Sequence, residues 1–178
     1  MPTPMKRATA SHAVRGTLVA LACVVLAACG SPDTGPKTGS PAPRFEATDI
    51  DGSVRRFPEN YAGRPVILDF WADWCRYCVG HMQRVDALQR EHAESGLAVI
   101  AINVAQDRST AAAFLDKLGV GFSSVLDPDS RITKQYGVQG LPITYFVDKE
   151  GRIAGKIIGE ADEKLLNSQL SRILPAPQ

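Results

Sequence analysis

The sequence has little net charge, no internal repeat and no apolar run long enough to cross a membrane. Its 20 lysine and arginine residues nearly balance 19 aspartate and glutamate residues, which gives a formal net charge of +1. No basic patch indicates nucleic-acid binding. The apolar stretch from Gly16 to Ala28 is too short for a transmembrane helix, because such a helix needs about 20 residues.

Cysteine is also scarce, with four residues in 178. Cys23 and Cys29 belong to the N-terminal segment, whereas Cys75 and Cys78 follow a strongly apolar run further along the chain. No second pair of ligands accompanies Cys75 and Cys78, so a zinc site is not indicated. These two residues are therefore the candidates for redox chemistry.

Residues 1–28 are typical of a secretory signal, in which positive charge precedes a short apolar core. The positive residues are Lys6, Arg7 and Arg15, and the core is Gly16 to Ala28. The sequence Leu26-Ala27-Ala28-Cys29 resembles the bacterial lipoprotein box, in which the cysteine is acylated and becomes the mature N-terminus. Cys23 would then leave with the signal. The alternatives are an ordinary signal cleaved after Ala28 and an uncleaved anchor.

The signal carries three of the basic residues and none of the acidic ones, so its removal leaves 17 basic and 19 acidic residues. Residues 29–41 are rich in proline, glycine, serine and threonine, which predicts a flexible tether. Residues 42–178 are sufficient for one domain with a substantial core. This domain would face an oxidising compartment. A CxxC pair there is either a stable structural disulfide or a redox couple that a partner protein returns to its active state after each reaction.

The apolar pattern of residues 42–178 alternates between strand and helix periods. Strands are predicted at Arg44–Thr48, Val54–Phe57, Pro65–Trp71, Leu97–Val104, Ser123–Leu126, Ile143–Val147 and Ile153–Ile158. Helices are predicted from near Cys75 to Gly96, over Thr110–Leu118 with Ser109 as N-cap, over Ser130–Tyr136 and over Asp162–Leu174. The fold class is therefore α/β: a central mixed β-sheet flanked by helices, with an N-terminal β-hairpin and a central βα insertion.

These segments resemble the thioredoxin superfamily, and within it the membrane-tethered TlpA/ResA-like thiol-disulfide oxidoreductases. The resemblance rests on motifs in the order and spacing of the family: Pro41 to Phe45, Asp51-Gly52, Tyr61 to Trp71, the CxxC, Tyr136 to Pro142 and Phe146 to Gly151. The chain departs from the family at Arg76-Tyr77 and Gln83, where prolines are common. Asp69 matches the buried acid of thioredoxin, although many TlpA-like chains are uncharged there.

Cys75 follows a strand and begins a helix, so unpaired backbone N–H groups should favour its thiolate. We therefore expect Cys75 to attack a substrate disulfide. Cys78 lies one helical turn later on the same face, and we expect it to resolve the mixed disulfide. A passive structural bridge is the alternative, although so short a loop stabilises a fold little. Arg76 should also favour the Cys75 thiolate and make the couple more oxidising, unless it is simply solvated.

The resemblance implies further site residues. Asp69 would accept a proton from Cys78 through water, unless a nearby lysine or arginine neutralises this acid. The Leu141-Pro142 bond would be cis, with the Leu141 backbone pairing with an extended substrate segment. Trp74 should shield the disulfide, and Tyr77 should offer an exposed aromatic face to a partner.

Two other classes of function stay open. Cys75, Cys78, His81 and Met82 lie within two helical turns, and their soft ligands suit Cu(I), so a copper metallochaperone is one alternative. In that case His81 would have to be a ligand, whereas otherwise we expect it to be exposed. A peroxidase is less favoured, because Ala72 stands where peroxiredoxins have threonine three residues before the reactive cysteine.

The family resemblance implies a monomeric, lipid-anchored enzyme of the bacterial cell envelope, facing the periplasm or the outer side of the cell membrane. It would need no cofactor besides the Cys75–Cys78 couple and no metal. Its substrates would be protein cysteines, as in cytochrome c maturation or copper-site assembly, and a membrane thiol transporter would supply electrons. A disulfide oxidase is the alternative, because the predicted effect of Arg76 favours oxidation.

The lipoprotein box gives a direct prediction. Replacement of Cys29 with alanine should remove the acylated thiol, so the protein should appear in the soluble fraction or accumulate as an unprocessed precursor. Fractionation followed by intact-mass measurement checks this, with Cys23→Ala as the control that should behave like the wild type. A Cys29→Ala protein that retained a lipid-sized mass increment would contradict the assignment.

Overall fold

The computed structural model describes Met1 and residues 35–174. The predicted signal, Cys29 and the first part of the predicted tether lie outside the described residues. Residues 35–174 belong to one compact unit, Thr34–Gln178. The strands are β1 Phe45–Thr48, β2 Val54–Phe57, β3 Val66–Trp71, β4 Ala98–Val104, β5 Ser124–Asp127, β6 Ile143–Val147 and β7 Ile153–Ile158. The helices are α1 Cys78–Glu91, α2 Arg108–Leu118, α3 Arg131–Gln135 and α4 Glu163–Leu170.

Five strands form a mixed sheet in the order β5-β4-β3-β6-β7, and β1 and β2 form a separate antiparallel hairpin. The pairs β3–β4 and β4–β5 are parallel, whereas β6 runs antiparallel to both β3 and β7. Strand β3 is therefore the centre of the sheet. The predicted α/β class, with a mixed sheet flanked by helices and an N-terminal hairpin, is confirmed.

All six residues of β3 are buried, as a strand covered on both faces requires. Because side chains alternate along a strand, Ile67 and Trp71 point to one face and Leu68 and Phe70 to the other. The Ile67 face packs against α1, α2 and α4, whereas the opposite face packs against the hairpin and α3. Asp69 has the same parity as Ile67 and Trp71, so it lies on the face that α1 covers.

The last residues of the predicted tether are part of the folded unit. The backbone N–H of Gly39 donates to the carbonyl of Ile153, and the N–H of Ile153 donates to the carbonyl of Ser40. Pro41 forms an isolated antiparallel bridge with Arg152. Residues 39–41 therefore run beside the start of β7, and the ordered domain begins before residue 42.

Helix α1 begins three residues later than predicted, at Cys78 instead of Cys75. Two single turns precede it, in which the N–H groups of Cys75 and Cys78 donate to the carbonyls of Ala72 and Cys75. The helix ends at Glu91 instead of continuing to Gly96, because a separate 3₁₀ turn, Ala93–Ser95, occupies the intervening chain.

The predicted N-cap of α2 was wrong by two residues: Asp107, not Ser109, is the cap. The Asp107 carboxylate accepts the backbone N–H of Thr110 at 2.9 Å. Hydrogen bonds from the Ser109 hydroxyl and from Thr110 lower the pKa of Asp107 to about 2.

At the other end of the domain, α4 stops at Leu170, before the predicted end at Leu174, and turns continue toward Leu174. Within residues 35–174, no helix is long and apolar enough to cross a membrane.

Helix α4 offers a matched test of this packing. Leu166 is 1% exposed and belongs to the core on the α1 face, whereas its neighbour Leu165 is 42% exposed. Leu166→Ala should lower the free energy of unfolding by about 3 kcal/mol, because it removes buried methyl groups and leaves a cavity. Leu165→Ala should change it by less than about 0.5 kcal/mol. Urea unfolding of the oxidised proteins measures both, and equal effects would contradict the placement of α4.

Candidate active site

Cys75 and Cys78 are joined in a disulfide, with their Cα atoms 5.3 Å apart. The bridge lies between the end of β3 and the first residue of α1. Cys75 is 5% exposed, whereas Cys78 is completely buried. A partner can therefore approach the Cys75 side of the bridge more easily.

Exposed aromatic side chains stand next to both cysteines in the sequence. Trp74 is 69% exposed, and Tyr77 is 52% exposed, as predicted for an exposed aromatic face. The guanidinium carbon of Arg76 lies 4.9 Å from the centre of the Tyr77 ring. Arg76 thus stacks on its neighbour as a cation–π pair while staying exposed to solvent.

The Leu141-Pro142 peptide bond is cis, as the resemblance implied. Strand β6 starts directly after it, and Ile143 pairs with Phe70 near the end of β3. Leu141 and Pro142 therefore lie at the same end of the sheet as the turn that carries the disulfide. The carbonyl of Pro142 accepts the N–H of Gly159, which ties this loop to the end of β7.

Asp69 is completely buried, and its partners come from two other elements. Thr144, directly opposite Asp69 in β6, donates its hydroxyl to Asp69 Oδ1 at 2.8 Å. His81 Nε2 in α1 lies 3.3 Å from the same oxygen. The neighbour in β4 is Ala101, so no lysine or arginine neutralises Asp69 from that strand. Asp69 Oδ2 has no hydrogen-bond partner among the described residues.

His81 is completely buried, so the expectation that it is exposed was wrong. Its Nε2 lies 2.7 Å from Thr144 Oγ1, and its Nδ1 accepts the backbone N–H of Ala161 at 3.3 Å. Because that N–H can only donate, the single ring proton of a neutral imidazole is on Nε2. His81 therefore donates through Nε2 toward the Asp69–Thr144 pair.

This arrangement weakens the case for a Cu(I) site. Both ring nitrogens of His81 are engaged in hydrogen bonds, and neither is left as a free ligand. Met82 is completely buried and lies with Val85 and Leu88 on the apolar stripe of α1 that faces the core. Within residues 35–174, no three histidine, cysteine, aspartate or glutamate side chains cluster as metal ligands.

A second polar network holds the turn before Cys75, and the sequence pattern did not predict it. Gln106 Oε1 accepts the backbone N–H of Asp73 at 3.0 Å and the side-chain amide of Asn103 at 2.9 Å. The Gln106 amide in turn donates to the Asp73 carboxylate. These contacts join the loops that follow β3 and β4, as expected where parallel strands end side by side. The polar Asn103 in an apolar strand was the available signal.

Trp71 is completely buried at the end of β3. Its indole N–H donates to Ser124 Oγ at 2.9 Å, and its ring stacks on Phe114 with centroids 5.1 Å apart. The end of β3 is therefore fixed to both β5 and α2. This support positions the turn that carries Cys75.

Comparisons with known proteins agree with this site. The AhpC/TSA family matches residues 38–156. Thiol-disulfide oxidoreductase ResA of Geobacillus thermodenitrificans is 30% identical over 158 residues, which cover 89% of this chain and 90% of that protein. ResA of Bacillus anthracis is 31% identical over 137 residues, which cover 77% of this chain and 79% of that protein.

Solved structures show the same fold. A Chlorobium tepidum protein assigned as the thiol:disulfide interchange protein DsbE superposes with a TM-score of 0.72 at 27% identity, covering 78% of this chain and 99% of that one. With a buried acid beside a helix that begins on a CxxC disulfide, these matches establish that the chain belongs to the thioredoxin-like AhpC/TSA family and is a thiol-disulfide oxidoreductase of the ResA/DsbE type.

Proposed function

We propose that this enzyme reduces selected disulfides in proteins of the bacterial cell envelope. The observation that carries the proposal is the asymmetry of the site: the slightly exposed Cys75 faces partners, while the buried Cys78 shares the α1 face with the buried acid Asp69. Such an arrangement suits a dithiol that attacks with one sulfur and resolves with the other. The relatives named ResA and DsbE support the same chemistry.

The reaction begins when the Cys75 thiolate attacks one sulfur of a substrate disulfide. A mixed disulfide forms with Cys75, and the other substrate sulfur leaves as a thiolate. Cys78 then gives its proton to Asp69 through water, and its sulfur attacks Cys75. The Cys75–Cys78 bridge forms and the second substrate thiolate leaves, so the substrate gains the two electrons that the enzyme loses. A dithiol donor, which we propose to be a membrane thiol transporter, reduces the bridge again.

The electrostatics of the site favour reduction over oxidation. A strongly oxidising couple requires a stabilised thiolate, and Arg76 was the residue expected to provide it. In the structure the Arg76 side chain is exposed and stacked on Tyr77, where water and salt screen its charge. Arg76 therefore contributes little to a stabilised Cys75 thiolate.

The surface around the disulfide would receive an extended substrate segment. We propose that Trp74 and Tyr77 contact its side chains and that the backbone of Leu141, beside Pro142, pairs with its main chain. The family resemblance supports haem-attachment cysteines of apocytochrome c, or the cysteines of a copper-site protein, as substrates. It also supports a monomer tethered to the membrane by an acylated Cys29.

Single-cysteine variants test the assignment of the two sulfurs. Cys78→Ser lacks the resolving thiol, so it should accumulate a mixed disulfide through Cys75 when it reacts with a peptide that contains one disulfide. Cys75→Ser, the matched control, should accumulate little, because Cys78 is buried. Intact-mass analysis without and with reductant measures the adduct. An adduct that forms on Cys75→Ser and not on Cys78→Ser would reverse the roles.

A further inference from the structure

We propose that His81 and Thr144 are positioning residues for the proton acceptor of this reaction. Thr144 holds one oxygen of Asp69 in a hydrogen bond and is itself held by His81, which leaves the other oxygen to take the proton from Cys78. The proposal rests on the proposed function of Asp69. It adds two residues, from α1 and β6, that act through Asp69 and not on the substrate.

The hydrogen bonds divide the Asp69 carboxylate into two unequal oxygens. Oδ1 accepts the Thr144 hydroxyl at 2.8 Å and faces His81 Nε2 at 3.3 Å. Oδ2 has no partner among the described residues, although Asp69 is completely buried. An oxygen without a donor keeps its lone pairs free for a proton. The incoming proton therefore goes to Oδ2.

His81 determines which groups donate and which accept in this chain of hydrogen bonds. The N–H of Ala161 occupies Nδ1, which places the ring proton on Nε2, only 2.7 Å from Thr144 Oγ1. A hydroxyl that receives a hydrogen bond from His81 is left to donate its own proton, and Asp69 Oδ1 is in position to accept it. The order is therefore Ala161 to His81, His81 to Thr144, and Thr144 to Asp69.

This order suits both protonation states of Asp69. When Cys78 releases its proton to Oδ2, Oδ1 of the neutral acid can still accept from Thr144. When the proton later leaves, the same bond stays in place, so no side chain has to turn during the cycle.

The location of His81 connects this network to the redox pair. Cys78 and His81 are three residues apart in α1 and thus lie on neighbouring turns of the same face. Thr144 is the direct cross-strand partner of Asp69 in β6, two residues after the cis proline at Pro142. Helix α1 therefore carries both Cys78 and His81. Strand β6 carries Thr144 and follows the Leu141-Pro142 segment that we propose pairs with the substrate.

The test uses 5,5′-dithiobis(2-nitrobenzoic acid) in stopped flow, with one equivalent added to the reduced protein. Attack by Cys75 releases the first coloured thiolate, and resolution by Cys78 releases the second, so the two steps are seen separately. Thr144→Val keeps the side-chain shape but lacks the hydroxyl, and it should slow the second release about tenfold while leaving the first unchanged. Thr144→Ser keeps the hydroxyl and should resolve at nearly the wild-type rate.

The Thr144 pair separates positioning from packing. Serine removes a buried methyl group and valine does not, so a purely structural role for Thr144 predicts that serine is the worse variant. A second release that is slower with serine than with valine, or unchanged in both, would overturn the proposal. His81 gives an independent pair: His81→Gln can still present a donor near the Nε2 position, whereas the shorter His81→Asn should slow the second release.

Asp69→Asn distinguishes this proposal from the function on which it rests. If Asp69→Asn slows the second release but the Thr144→Val and His81→Asn variants do not, Asp69 is the acceptor and the positioning role is wrong. If Asp69→Asn also leaves the second release unchanged, the role of Asp69 itself is wrong.

Discussion

The burial of one carboxylate, Asp69, in the central strand is the constraint on which the site depends. Its strand is covered on both faces, so every polar group there needs a partner from a neighbouring element. Thr144 supplies one from β6, and His81 in α1 holds Thr144 in place. The carboxylate thereby links the strand before the disulfide, the helix after it and the strand that begins beside Pro142.

Contacts on the β4–β5 side of β3 hold the turn that carries the disulfide. Trp71 is fixed by Ser124 and Phe114, and the turn after it is held by the Gln106 network. The protein therefore orients Cys75 at the surface from a rigid base, while Cys78 stays inside the core. Exchange between the two sulfurs needs no large movement, because they lie three residues apart in one turn.

Much of this could be predicted from the sequence, because the strongest signals are local. The run of apolar residues in β3 predicted a strand buried on both faces, and the single acid within it marked Asp69 as functional. The positions of both cysteines and the helical stripe that contains Met82 also follow from local spacing. The cis bond before Pro142 was implied by the family motif and is present.

The remaining features depend on long-range pairing that local patterns do not contain. Thr144 is important only because the β3–β6 register places it opposite Asp69. His81 was expected to be exposed, yet α1 is covered broadly enough to bury both His81 and Met82. The N-cap at Asp107 could have been found locally, since aspartate three residues before Thr110 is as good a cap as Ser109.

The direction of electron flow is the central claim, and the midpoint potential of the Cys75–Cys78 couple tests it most directly. Equilibration of the protein with dithiothreitol mixtures, followed by quantification of free thiols, gives that potential. A reductase with a poorly stabilised thiolate should have a midpoint near that of thioredoxin, about −270 mV. A midpoint near about −120 mV, the value of a strong disulfide oxidant, would contradict the account.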